Sequence, residues 1–62
     1  MDWREGLNRI LSLDEQELAL WENLMMTAPN ESMRRMLRNA IAREREEMRM
    51  IRELMMGGPM DP

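Results

Sequence analysis

The chain has no cysteine, no histidine, no tyrosine and no phenylalanine. The missing cysteines exclude disulfides, thiolate ligands and thiol nucleophiles, and leave no trace of the redox compartment. Without histidine there is no imidazole ligand, no imidazole general base and no Ser-His or Cys-His arrangement. Valine is absent too, and the β-branched residues reduce to Ile10, Thr27, Ile41 and Ile51, too few for a sheet. Long apolar runs are lacking: the longest is Leu18-Ala19-Leu20-Trp21, against the roughly 20 residues a membrane span needs. Met1-Asp2-Trp3-Arg4-Glu5 offers no cationic segment followed by an apolar one, so no export signal is expected and the localisation reads as cytoplasmic.

These absences narrow what can hold a 62-residue chain together. So short a chain buries too little apolar surface to offset the conformational entropy of ordering it, and commonly relies on disulfides, metal or partners. With disulfides excluded, self-association, carboxylate-bound metal, or both remain.

What is present is strongly helix-forming: Ala, Leu, Met, Glu and Arg dominate, with ten methionines among them. One internal breaker, Thr27-Ala28-Pro29-Asn30, divides the chain. Pro29 disfavours helix at Ala28, Asn30 or Thr27 can cap a second helix, and Glu31 suits the positive end of its dipole. A second breaker, Gly57-Gly58-Pro59, ends the pattern. The expected organisation is a helix over about 3–28, a turn at about 28–30, a helix over about 31–56 and a flexible tail over 57–62. Ser12-Leu13-Asp14-Glu15 has capping-box spacing and could restart a helix at Leu13. Equal arms that pack over their full length argue instead for one continuous first helix.

Apolar residues recur at helical spacing on both arms. Trp3, Leu7, Ile10, Leu11, Leu18, Trp21, Met25 and Ala28 mark the first, and Met33, Leu37, Ala40, Met48, Ile51 and Met55 the second. Folding at Pro29 opposes positions whose numbers add to about 58. Trp21 then meets Leu37, Leu18 meets Ala40, Leu11 meets Met48, Leu7 meets Ile51 and Trp3 meets Met55. Trp3, Leu7, Leu11, Leu18, Trp21, Leu37, Met48 and Ile51 are therefore the expected interface residues. Each stripe skips one beat, at Asp14 and at Glu44, and the skipped beats also oppose one another. Two facing carboxylates in an apolar seam are costly unless protonated, paired or bound to metal. Glu47, three residues past Glu44, can reach inward as well. The plain alternative is a wetted pair, or one neutralised by Arg43 or Arg45.

Residues 1–31 carry seven acids against two arginines, and residues 32–62 seven arginines against five acids, so the two halves are expected to face each other. The arginines interleave with glutamates in spacings such as Glu31–Arg35, Arg43–Glu47 and Arg49–Glu53, and the net charge is −3. No nucleic-acid partner is expected from that pattern.

The phrase from Leu13 to Trp21, the turn Ala28-Pro29-Asn30-Glu31 and the run from Ala40 to Glu47 resemble half of a ferritin-like or rubrerythrin-like bundle. Encapsulated ferritins are similarly built from short two-helix chains that dimerise. The family sets one Glu on the first helix and a Glu-x-x-His on the second, and two such pairs enclose a di-iron site. The resemblance implies Asp14 in place of the first Glu, Glu44 as the motif Glu and Glu47 where the His belongs. All three would be ligands from oxygen, suited to a hard ion such as iron, manganese or calcium.

The expected fold is all-α, an antiparallel helical hairpin that dimerises into a four-helix bundle. The expected function is that of a homo-oligomeric structural or assembly module without catalysis. The alternative is a carboxylate site for iron or manganese at the dimer interface. The expected partner is a second copy of the chain, with neither nucleic acid nor membrane involved.

Overall fold

A computed structural model describes residues 2–57; Met1 and residues 58–62 lie outside it, so the tail expected over 57–62 is represented only by Gly57. The described residues form two helices and no strand: α1, Trp3–Thr27, and α2, Glu31–Met55. They pack antiparallel as a hairpin.

Local chemistry fixes each helix end. The Asp2 carboxylate accepts from the Glu5 backbone amide at 3.0 Å while the Glu5 carboxylate accepts from the Asp2 amide at 3.2 Å. This reciprocal capping box starts α1. The helix then passes through Ser12 without a break. It stops at Ala28, whose backbone is extended (φ −61°, ψ 131°) as a residue before proline requires. The last turn of α1 has no basic residue of its own. Arg34 of α2 supplies one, donating to the Ala28 carbonyl at 3.3 Å. Asn30 then caps α2, its side-chain oxygen accepting from the Met33 amide at 2.8 Å. At the far end Gly57 turns the chain out of α2 with φ 112°, a conformation strained for any side-chain-bearing residue.

The hairpin measures 46 × 24 × 11 Å, so its thickness is that of a single helix. A single layer has no interior in the usual sense. Ala28, Ile41, Met48 and Ile51 are its buried apolar residues, and no large side chain among the described residues is fully enclosed. Leu7, Leu11, Leu18, Trp21 and Leu37 are half-buried along the seam. Trp3 remains 58 % exposed, with the Arg4 guanidinium 5.3 Å above its ring. Arg4 also donates to the Met55 carbonyl at 3.3 Å, tying the open end of the hairpin. On α2 the deepest stripe runs through Ile41, one residue beyond the Ala40 that the spacing selects.

The two sides of the seam differ. On one side Arg45 pairs with Glu22 at 2.9 Å and Arg52 approaches Glu15 at 3.9 Å. These are the ion pairs that join the acidic and basic halves from helix to helix; being exposed, each contributes at most about 1 kcal/mol. On the other side the one-residue-earlier positions are mostly apolar and exposed: Ile10, Leu13, Leu20 and Leu24 on α1, and Met33, Met36, Met50 and Leu54 on α2. Glu31 pairs with Arg34 at 3.5 Å and Arg38 at 2.6 Å rather than with Arg35. Arg49 holds Glu53 at 2.5 Å and also Glu46. No helix among the described residues is long and apolar enough to cross a membrane.

Candidate functional site

At mid-length of both helices the apolar seam is interrupted by acid. Asp14 on α1 is 7 % exposed and Glu44 on α2 is 8 % exposed. Each helix puts its carboxylate there because 14 falls between Leu11 and Leu18, and 44 between Ile41 and Met48, on the inward stripe. Glu17, one turn beyond Asp14, completes a group of three whose carboxylate oxygens lie within 4.8 Å of one another. Asp14 and Glu17 face the same way because residues three apart on a helix are neighbours. Glu17 itself is exposed, so the group has two buried members and one that meets solvent.

The buried members lack partners. Asp14 Oδ2 and Glu44 Oε2 are inaccessible to solvent and accept no hydrogen bond. Native proteins leave few such atoms, and each calls for an explanation. Arginine does not supply one: none of the six ion pairs among the described residues involves Asp14, Glu17 or Glu44. Arg45, a neutralising partner by sequence, is engaged by Glu22 instead.

The electrostatic consequence falls on Glu44, whose carboxyl is pushed up from the ordinary 4.5 to about 7. Burial is the largest cause, since it penalises the charged form. Once protonated, Glu44 can donate to Asp14, and that contact and the charges of Asp14, Glu17 and Glu47 push the same way. Outside the seam, exposed carboxylates show the opposite effect. Arg38 and Arg34 hold Glu31 below its usual range, and Arg49 does the same to Glu46.

The structure thus brings Asp14 and Glu44 together and sets Glu17 beside them. Glu47 is exposed and stands outside the group of three, acting on Glu44 through its charge. The signal for Glu17 was available in the spacing Asp14-x-x-Glu17, which parallels Glu44-x-x-Glu47 on α2. Which of the two glutamates joins depends on how far each helix is rotated about its axis, a property of packing. The three oxygens from two helices form a hard-donor set, with no imidazole and no thiolate among them. They do not reproduce the ferritin-like pattern of a single carboxylate on the first helix and a Glu-x-x-His on the second.

A second feature lies toward the turn. Trp21 and Leu24 of α1 and Met33, Met36, Leu37 and Ala40 of α2 line an open apolar groove of about 350 Å³, with Arg43 also in its wall. Across the seam, a groove of about 410 Å³ includes Glu22, Arg38 and Arg45 in its lining. Compared with known proteins, the chain matches no family model, no curated protein and no solved structure.

Proposed function

We propose that the chain is a non-catalytic assembly module: a helical hairpin that pairs with a second copy of itself to complete a four-helix bundle, as in the ferritin-like architecture it resembles. The observation that carries this reading is the second apolar face. Helices bury a stripe against a neighbour, and stable domains have at least two packed layers. Here the inner stripe is used within the hairpin, while Leu13, Leu20 and Leu24 with Met33, Met36 and Met50 form another on the same side. Leu20 is 64 % and Met36 68 % exposed. Scattered exposed leucines need no account, but a face of this continuity marks an interaction surface.

A second copy fits that face in extent and charge. A broad face of 46 × 24 Å is enough for the roughly 800 Å² per partner of a standard interface. The face also carries Arg43 and Glu47, of opposite sign and without an ion pair in the hairpin. A two-fold axis would offer each of them the other's counterpart, as an isologous interface requires. The lack of histidine and cysteine supports the non-catalytic part of the reading. The test is sedimentation over a wide range of protein concentration. A species at twice the 7.5 kDa chain mass is expected, with Leu24→Glu shifting it to the monomer. A 7.5 kDa particle at every concentration overturns the reading.

A further inference from the structure

We infer that Asp14, Glu17 and Glu44 bind one hard divalent cation of the calcium or manganese kind within a single hairpin, bridging α1 to α2. Two independent observations point to it. The first is the donor geometry: three carboxylates from two helices whose oxygens lie within 4.8 Å of one another. Oxygens around one calcium ion stand at most about 4.6–5.2 Å apart, so one oxygen from each of the three residues can reach a single ion without the helices having to close further. Magnesium, which demands a near-ideal octahedron and dehydrates reluctantly, suits so partial a donor set less well. The second is the pair of orphaned oxygens, Asp14 Oδ2 and Glu44 Oε2, on side chains more than nine-tenths buried. While both are ionised they are acceptors without donors in the middle of an apolar seam, and no ion pair with arginine reaches them.

A cation resolves what the seam leaves open. It supplies positive charge where like charges meet and replaces the water that burial removed. Glu17, at the solvent edge, gives the ion a route in, and the positions left over by three protein ligands fall to water. The all-oxygen set disfavours zinc and copper, which select imidazole and sulfur. Bridging two helices couples binding to folding, because the unfolded chain has no preformed site. The site lies inside one hairpin, so it stands whether or not two hairpins pair.

The experiment uses the full chain, stripped with chelator and titrated with Mn²⁺, with free ion followed by its paramagnetic resonance signal. One bound Mn²⁺ per chain is expected, displaced by Ca²⁺ and less readily by Mg²⁺. Glu17→Gln should weaken binding about tenfold or more, and Asp14→Asn with Glu44→Gln should abolish it. Circular dichroism verifies that each variant keeps its helices, and removal of repulsion favours that. Glu47→Gln should bind as the wild type does. Absence of Mn²⁺ binding by the wild type overturns the inference, as does equal binding by the double variant. An equal loss in Glu47→Gln and Glu17→Gln overturns this ligand set.

Discussion

Asp14 and Glu44 oppose each other across the α1–α2 seam, each buried and each with one carboxylate oxygen that is left without a donor while both are ionised. The seam has apolar neighbours above and below them, so this layer sets acid where the rest of the stripe is apolar. It is also the place where chemistry can enter.

Removing both charges should strengthen the metal-free hairpin. Replacing buried polar groups by apolar ones of similar size is often neutral or stabilising by about 1–4 kcal/mol. Asp14→Leu with Glu44→Leu should therefore raise the urea midpoint in the presence of chelator. A lower midpoint would show that the two carboxylates stabilise the fold through a partner not accounted for.

Mild acid should stabilise the metal-free protein. Glu44 is raised from 4.5 in the unfolded chain to about 7 in the hairpin, so between those values the folded state binds the extra proton. Stability then falls as pH rises through that window, and is fully present below the unfolded value. The groups that face Glu44 are Asp14 and Glu17 from α1 and Glu47 from its own helix, all acids pushing in the same direction. Melting temperature in chelator should rise as pH drops from about 7.5 toward about 5, and Glu44→Gln should flatten the profile. A wild-type profile that is already flat would show that Glu44 titrates near its ordinary value.

Trp21 should report association. In the hairpin it is half-buried beside Leu37 in the apolar groove, and a second hairpin on that face would cover it. In a Trp3→Phe background, Trp21 emission should move to the blue as protein concentration rises. Trp21→Ala should cost roughly 3–5 kcal/mol per chain in the associated form. An emission maximum independent of concentration would place the covered face elsewhere.

The turn rests on Asn30. Its side chain satisfies the Met33 amide, and Asn30→Ala should cost about 1 kcal/mol by loss of the cap. Arg34→Ala should act at the same turn by freeing the Ala28 carbonyl. The two effects are best read in a double-mutant cycle, where additivity would show that the caps act separately.

Helix content, the turn at Pro29 and the inward stripe are local consequences of residue chemistry, and the sequence by itself determined them. Scarce β-branched residues and helix formers at a spacing of three to four leave no competing element. Pro29 followed by Asn30 permits one break and then a cap, because the ring restricts Ala28 and the amide satisfies an orphan donor. The apposition of Asp14 and Glu44 was legible for the same reason, since both interrupt periodic stripes at matching distances from the turn. Tertiary structure decided the rest, because it sets how each helix is rotated about its axis. A rotation smaller than the step of about 100° between successive helical residues puts Ile41 rather than Ala40 deepest, joins Glu17 rather than Glu47 to the carboxylate pair, and turns Arg45 to Glu22. Periodicity fixes which residues share a stripe, but side-chain packing between the two helices chooses which edge of that stripe faces in.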